Sequence, residues 1–179
     1  SSAIKKYADL FGVACGEKNI LFTNNDSVYE TAISLIQKGI KVQAIIDNRE
    51  EIDSKLIKET EKNNIKIYKG YTIVDTFGYK RINSVSIMKL SKDGQKVIGS
   101  KENISCDSLG ISGGWTPAVH LFTQSGGKLK FRDDDQVFIP NTYPSNQISI
   151  GSCNGDFTLD EILINTCLLY TSPSPRDVE

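Results

Sequence analysis

The chain has 179 residues, of which 39% are hydrophobic and 24% are charged, and its formal net charge is −1. These values are typical of a globular protein with a substantial core, and the lack of a basic excess argues against nucleic acid or an anionic membrane as a partner. No apolar run approaches the roughly 20 residues of a membrane helix, and the N-terminus lacks the apolar core of a signal peptide. We therefore expect a cytoplasmic protein with no membrane and no nucleic acid partner.

The cysteines are scattered along the chain at Cys15, Cys106, Cys153 and Cys167. They form no CxxC pair, and His120 is the only histidine, so the sequence predicts neither a zinc site nor a dithiol centre. Free cysteine usually behaves as a small hydrophobic residue, which favours reduced and mostly buried thiols over a redox role.

The first part of the sequence predicts a β-α-β-α-β unit. Apolar residues at helical spacing end at Gly12, which indicates the last turns of a helix with a glycine cap. The elements predicted after it are a strand at 19–22, a helix at 26–38, a strand at 41–46, a helix at 54–62 and a strand at 65–68. This order is typical of an α/β, Rossmann-like mononucleotide-binding half.

From residue 71 the hydrophobic period changes from helical to alternating, which predicts an antiparallel meander of three strands with turns at Gly78-Tyr79 and Asp93-Gly94. The phrase DSLGISGGW then predicts a buried apolar strand that ends in a glycine pair. Later, ISIGSCNGDFTLDEILIN predicts a strand, a loop and the start of a helix. The residues expected to face inward on that helix are Phe157, Leu159, Ile162 and Leu163.

The turn TNNDSV follows the first strand, where a dinucleotide-binding unit has glycines that let the backbone approach a pyrophosphate. Aligned to that fingerprint, the glycine positions hold Thr23, Asn25 and Val28, and Asp26 adds a negative charge. The segment from Ser27 to Glu30 also reads as a capping box that satisfies the helix amides internally. A self-capped helix with a vacated nucleotide site is favoured over a working phosphate loop.

Asp47 ends the second predicted strand, where a ribose-binding acid would stand, and Arg49 lies nearby. The pair permits a ribose site, but strand ends often carry an exposed acid. Because the glycine loop is missing, we favour the second interpretation.

The order of these elements resembles flavoproteins with two dinucleotide-binding domains, in which a nested NAD(P)-type domain interrupts an outer one. The phrases ILFTNNDSVYETA, SGGWTPAVHLFTQSGGKLKF and CNGDFTLDEIL are more specific, and they resemble the α subunits of heterotetrameric sarcosine oxidases. The resemblance implies three segments, which are the end of an outer-domain helix (1–12), a nested NAD(P)-binding-like domain (13–105) and a return segment of the outer FAD/NAD-binding domain (106–165). The remaining residues (166–179) contain the Ser/Pro-rich string CLLYTSPSPRD, which resembles a translated sequencing adapter and predicts a non-native tail.

The resemblance also implies a function. Such a subunit belongs to a cytoplasmic oxidoreductase that demethylates the small molecule sarcosine to glycine, produces hydrogen peroxide and passes a one-carbon unit to tetrahydrofolate. It assembles with β, γ and δ subunits. NAD occupies its outer site, which is incomplete here, FAD and FMN belong to a partner subunit, and tetrahydrofolate binds a C-terminal domain that this sequence lacks.

The resemblance implies cofactor-binding residues in two loops. The first holds Gly113, Gly114 and Trp115, and the second holds Asn154, Gly155 and Asp156. Glycine suits a backbone that lies close to a ligand. The alternative is that the first loop is only a turn followed by a core tryptophan. It stays open whether Asn154 or Asp156 would face the ribose.

The sequence offers no convincing catalytic acid, base or nucleophile, and it predicts no metal site. His120 has no acid or nucleophile beside it, and the run from Arg132 to Asp135 reads as a solvated loop. Two other functions remain open. The chain could belong to a self-sufficient NAD(P)H-dependent FAD reductase, or it could be a noncatalytic part of a related amine or opine oxidase.

Overall fold

The computed structural model describes residues 1–52, 55–144 and 147–171, which divide into two compact units, residues 1–114 and the residues from 115 onward. In the first unit the elements are α1 (Ser2–Phe11), β1 (Asn19–Thr23), α2 (Ser27–Gln37), β2 (Val42–Asp47), α3 (Lys55–Lys62), β3 (Lys66–Lys69), β4 (Tyr71–Gly78), β5 (Ile82–Leu90), β6 (Val97–Ser105) and β7 (Ser108–Ser112). The second unit contains α4 (His120–Gln124), β8 (Lys128–Arg132), β9 (Val137–Thr142), a 3₁₀ turn (Gly151–Asn154) and α5 (Leu159–Thr171).

The first unit is built on a four-stranded parallel sheet with the strand order β3-β2-β1-β7. The predicted β-α-β-α-β unit supplies three of these strands, and the predicted meander forms a separate antiparallel sheet with the order β4-β5-β6. Alternate residues of the parallel strands point to opposite faces, so both faces must be covered. Leu21 and Ile45 pack against helices α1 to α3, whereas Ile20 and Ile46 pack against the meander.

Strand β7 is the fourth strand of this parallel sheet, whereas the sequence had predicted that it belongs to the outer domain. It pairs with β1 in parallel from Asn19 opposite Ser108 to Thr23 opposite Ser112. An apolar strand signals burial but not the sheet in which it is buried, and the boundary at residue 105 stays a prediction. The strand is also less buried than predicted, because Ile111 is 59% exposed.

Helix α1 packs on the helical side of the parallel sheet in the first unit. Its buried residues Ile4 and Ala8 belong to the same core as Leu21 and Val28. The helix can approach β7 closely because Gly110 has no side chain. A Cβ on Gly110 would come within 2.8 Å of the Ile4 Cδ1 atom. The predicted glycine cap is confirmed, because Gly12 has a φ of 62° and its N–H donates to the Tyr7 carbonyl.

Asp107 ties the start of β7 to the loop that precedes β1. Its carboxylate accepts hydrogen bonds from the backbone N–H of Glu17 at 2.9 Å and of Lys18 at 2.7 Å. These two bonds favour the ionised form and lower the pKa of Asp107.

We expect Asp107→Asn to reduce the dependence of stability on acid pH. A carboxyl group whose pKa is lower in the folded state stabilises the fold above its unfolded pKa of about 3.9, and this contribution is lost as the pH falls through the folded pKa. Urea unfolding at pH 7, 4 and 3 would measure the change. Glu59→Gln on the exposed face of α3 is the control, and an unchanged pH profile for Asp107→Asn would contradict the assignment.

In the second unit, β8 and β9 form a two-stranded antiparallel sheet. Helix α4 was not predicted, and residues 148–150, where the phrase ISIGSCNGDFTLDEILIN predicted a strand, have no regular structure. The inward face predicted for α5 is also wrong in part, because Leu159 is 69% exposed and Leu163 is 53% exposed. The helix is apolar on several sides, so its period does not define one buried face. It continues to Thr171, and the rest of the predicted tail lies outside the described residues.

Two further expectations concern single side chains. Only Cys106 is buried, whereas Cys15 and Cys167 are exposed and Cys153 is intermediate, so the prediction of mostly buried thiols was wrong. His120 is exposed.

Within residues 1–52, 55–144 and 147–171, no helix combines the length and the apolar character of a membrane span.

Candidate dinucleotide-binding sites

The first candidate site is the carboxyl edge of the parallel sheet, by which we mean residues 23–27, 47–49, 112 and 113. Open α/β sheets bind ligands where the strand order reverses, and here that point lies between β1 and β7. The loops after these two strands are joined directly. The N–H of Asn24 donates to the Ser112 carbonyl at 3.4 Å, and its side-chain amide donates to the Gly113 carbonyl at 3.3 Å.

The side chain of Asn25 lies next to this junction and forms hydrogen bonds with residues on both sides of it. Its side-chain amide donates to the hydroxyl of Ser112 at 3.2 Å, and its side-chain carbonyl accepts from the hydroxyl of Ser27 at 2.5 Å. The hydroxyls of Ser27 and Ser112 are 3.1 Å apart. Side chains therefore occupy the position in which glycines would expose backbone to a pyrophosphate.

The predicted capping box does not form. The N-cap of α2 is Asp26, which makes no side-chain cap bond. Instead, the side-chain carbonyl of Asn25 accepts the N–H of Ser27 at 3.1 Å. The first amide of the helix is thus satisfied by the residue before the N-cap, which agrees with the predicted internal closure but not with the predicted residues.

Asp47 is completely buried at the end of β2, so the favoured prediction of an exposed strand-end acid was wrong. Its carboxylate accepts from the Tyr29 hydroxyl at 2.9 Å, from the Arg49 backbone N–H at 2.9 Å, and from Arg49 Nε and Nη2 at 3.1 and 2.8 Å. A buried charge requires such partners because it has lost its water. All four donors come from the protein, so the carboxylate needs no ribose to satisfy it.

Arg49 joins the two acids of the carboxyl edge. Its Nη2 atom is 2.8 Å from Asp47 Oδ2 and also 2.8 Å from Asp26 Oδ1. The hydrogen bonds that the guanidinium donates to Asp47, and then its contact with Asp26, raise the pKa of Arg49. Burial and the charge of Asp47 raise the pKa of Tyr29. Arg49 therefore stays charged and Tyr29 stays protonated throughout the physiological pH range.

These contacts do not fit a dinucleotide. Asp26 stands at the helix start, where a pyrophosphate would require amide donors and no negative charge, and Arg49 bridges from there to the ribose position. An arginine in this place could favour a 2′-phosphate, but this guanidinium is already paired with two carboxylates. The carboxyl edge is closed by its own side chains.

The second candidate site is the loop from Asn154 to Asp156 in the unit that starts at residue 115. Gly155 ends the 3₁₀ turn with a φ of 88°. The Tyr143 hydroxyl donates to Asn154 Oδ1 at 2.9 Å, and the Asn165 amide donates to Asp156 Oδ2 at 3.0 Å. Of the three loop residues, only Asn154 lines a neighbouring cavity of about 370 Å³. Asn154 therefore has more access to a ligand in that cavity than Asp156.

The cavity wall is mostly apolar and comes from two segments of the unit. Tyr143, Ile148 and Ile150 lie on one side, and Leu168 and Leu169 of α5, which belong to the predicted non-native tail, lie on another. Without that tail, the remaining apolar side chains still suit the flat face of a ring, with Asn154 as a polar group that could orient it.

The first predicted loop is placed differently. Gly113 and Gly114 end the first unit, and Trp115 starts the second and is 59% exposed. The expectation that Trp115 is only a core residue is therefore wrong. Gly114 has a φ of 101°, which requires glycine. That both loops line one dinucleotide stays a prediction.

Some functional residues escaped the sequence analysis. Tyr29 was not recognised as the partner of Asp47, and Ser112 was not recognised as the partner of Asn25. The arginine two residues after a strand-end acid was the one available signal, since opposite charges at this spacing can pair. In the described part of the chain, no three acidic, histidine or cysteine side chains come together as metal ligands.

No family model matches the chain. The chain is 29% identical over 159 residues to the sarcosine oxidase subunit alpha of Corynebacterium sp. (strain P-1), covering 88% of this chain and 16% of that protein. It is 27% identical over 139 residues to the subunit of the same name from Rhizobium meliloti (strain 1021), covering 78% of this chain and 13% of that protein. The predicted resemblance to sarcosine oxidase α subunits is confirmed. The chain spans about one sixth or less of the length of these relatives.

Solved structures agree on the fold. The flavoprotein disulfide reductase RclA from Escherichia coli matches with a TM-score of 0.58 and 13% identity over 85% of this chain and 34% of that chain. The bacillithiol disulfide reductase YpdA from Staphylococcus aureus matches with a TM-score of 0.54 and 12% identity over 87% of this chain and 52% of that chain. At such identities the matches establish the fold alone, and the predicted Rossmann-like α/β fold is confirmed.

Proposed function

We propose that this chain is a segment of an oxidoreductase subunit of the sarcosine oxidase α type and that its first unit is a scaffold without a nucleotide. The similarity to sarcosine oxidase α subunits supports the type of enzyme. The observation that carries the scaffold role is the position of Arg49, which contacts both Asp26 and Asp47 at the carboxyl edge. The pyrophosphate and ribose positions of the nested domain are thereby taken.

In this proposal the whole enzyme oxidatively demethylates sarcosine to glycine, releases hydrogen peroxide and transfers the one-carbon unit to tetrahydrofolate. The β, γ and δ subunits complete the assembly, a partner subunit holds FAD and FMN, and the setting is cytoplasmic. NAD belongs to an outer site, to which this chain contributes Gly113, Gly114, Trp115 and the loop from Asn154 to Asp156. When bound, NAD supplies a nicotinamide ring that can exchange a hydride.

The residues of this chain would bind and orient the cofactor and would not carry out the oxidation. Asn154 borders the cavity and can offer its amide to a ribose hydroxyl, and the exposed indole of Trp115 can cover a ring. No described side chain of the two loops combines a perturbed pKa with a nucleophile and a neighbouring base, so the proposal assigns them no proton transfer.

The alternative is a self-sufficient NAD(P)H-dependent flavoprotein reductase. The domain order permits it, but such an enzyme needs a nested site that admits the reductant. The closed carboxyl edge opposes this function.

Titration of the 179-residue chain with NADH and NADPH separates the two functions. We expect no heat of binding in the calorimeter at concentrations up to about 1 mM, since the carboxyl edge has no free donor set for a pyrophosphate. A dissociation constant in the micromolar range for either nucleotide, unchanged by Asn154→Ala in the second candidate loop, would refute the scaffold role and favour the reductase.

The substrate class needs a separate assay. We expect the complete complex to oxidise sarcosine faster than other N-alkyl amino acids, measured as hydrogen peroxide release. A preference for a different amine would instead place the chain in a noncatalytic role within a related amine or opine oxidase.

A further inference from the structure

The run from Arg132 to Asp135 was expected to be a solvated loop, but it makes a specific contact with the second candidate loop. Arg132 is the last residue of β8, and its Nη2 atom donates to the Gly155 carbonyl at 2.9 Å. The same guanidinium donates from Nε to Asp135 Oδ1 at 2.7 Å and from Nη2 to Asp135 Oδ2 at 2.5 Å. Arg132 therefore links the β8–β9 turn to the loop that follows the 3₁₀ turn.

We propose that Arg132 is a positioning residue for the dinucleotide loop, held in place by Asp135. A two-pronged bond to Asp135 fixes the plane of the guanidinium, and this directs one N–H at the Gly155 carbonyl. The bond fixes the peptide between Gly155 and Asp156, and therefore the direction of the side chains on either side of it. This inference rests on the proposed outer cofactor site.

The packing around Gly155 agrees with a loop that must keep one shape. Gly155 is buried, and a Cβ on it would come within 2.8 Å of Ile139 Cγ2 and 3.0 Å of Arg132 Nη2. The guanidinium of Arg132 and the side chain of Ile139 on β9 thus pack directly against the backbone of this loop. Arg132 is one-third exposed, so it can lose its charge partner without leaving a fully buried ion behind.

The choice of arginine also follows from this geometry. A lysine ammonium is a point charge and cannot hold a carboxylate with two parallel bonds while donating a third bond to a carbonyl in the same plane. The carboxylate of Asp135 also raises the pKa of Arg132, which keeps the donor charged.

Two measurements test this role. In the 179-residue chain, hydrogen exchange of the amides at residues 151–156 should be at least tenfold faster for Arg132→Ala than for the unchanged protein. In the complete complex, the dissociation constant for NAD, measured by equilibrium dialysis, should rise at least tenfold for Arg132→Ala. Arg132→Lys should remain closer to Arg132→Ala than to the unchanged protein in both measurements, and Asp135→Asn should give an intermediate effect.

Lys130→Ala is the matched control, because it removes one positive charge from an exposed side chain of the same strand. Adding methylguanidinium, at a concentration too low to unfold the protein, distinguishes a positioning role from a purely structural one. If Arg132 positions the loop, methylguanidinium should restore NAD binding to Arg132→Ala and leave NAD binding by Lys130→Ala unchanged.

The possible failures differ from each other. If Arg132→Ala exchanges its loop amides at the normal rate, or binds NAD within twofold of the unchanged complex, the positioning role is wrong. If the unchanged complex binds no NAD while Arg132→Ala still speeds exchange, the proposed outer NAD site is wrong, and the role of Arg132 is reduced to holding the loop.

Discussion

Replacing Arg49 with alanine is expected to lower the free energy of unfolding by about 3 kcal/mol, because it leaves the buried carboxylate of Asp47 without its counter-ion. Asp47 is completely buried, and Arg49 provides three of the four hydrogen bonds that it accepts, one of them from the backbone. Urea unfolding followed by circular dichroism would measure the loss.

Two further variants separate the charge from the geometry. Arg49→Lys retains the charge but not the two parallel bonds, and should lose less stability than Arg49→Ala. The pair Asp47→Asn with Arg49→Met removes both charges and should recover part of the loss, since a neutral amide is less costly to bury than an unpaired carboxylate.

Arg81→Ala is the control, because Arg81 is an exposed arginine on the β4–β5 turn of the same unit. It should change stability by no more than about 0.5 kcal/mol. Equal losses for Arg49→Ala and Arg81→Ala would show that the ion pairs of the carboxyl edge contribute nothing to the fold.

Gly155→Ala should destabilise the second unit by about 3 kcal/mol, through two additive causes. A left-handed backbone costs a residue with a side chain about 1–2 kcal/mol, and Gly155 has such a backbone, with a φ of 88°. The added methyl group would also lie 2.8 Å from Ile139 Cγ2 and 3.0 Å from Arg132 Nη2. A thermal melt of the 179-residue chain, followed by the fluorescence of its single tryptophan, reports on this unit.

Gly126→Ala isolates the first cause from the second. Gly126 lies in the same unit and has a φ of 94°, but nothing lies within 4 Å of a Cβ built on it. Its loss should be limited to the backbone cost of about 1–2 kcal/mol. If both alanine variants melt at the same temperature, the tight packing of Arg132 and Ile139 around the loop is not important for stability.

The sequence predicted the elements of the first unit well because its signals are local. The helical stripe of α2 and the alternation in β4 to β6 each lie within one continuous segment. The sheet to which β7 belongs could not be predicted in the same way. Its partner β1 lies about ninety residues earlier, and an apolar strand of this kind fits any parallel sheet that is covered on both faces.

The candidate sites were predictable only in outline. Missing glycines in TNNDSV predicted a closed nucleotide site, and the residues whose side chains occupy that position act across loops. Asn25 reaches Ser112, and Arg49 reaches Asp26. Arg132 similarly contacts Gly155 across 23 positions of sequence. Charged residues in a turn look solvated in the sequence because their partners are not neighbours along the chain.

The closure of the carboxyl edge by Arg49 has a consequence for how this domain behaves in a cell. A fold that binds a cofactor gains stability as the cofactor concentration rises, by about 2.7 kcal/mol at one hundred times the dissociation constant. Here the occupying groups are part of the polypeptide and are always present at the site. The nested nucleotide site should therefore add nothing to the dependence of stability on the nicotinamide nucleotide pool, even when starvation or oxidative stress depletes that pool.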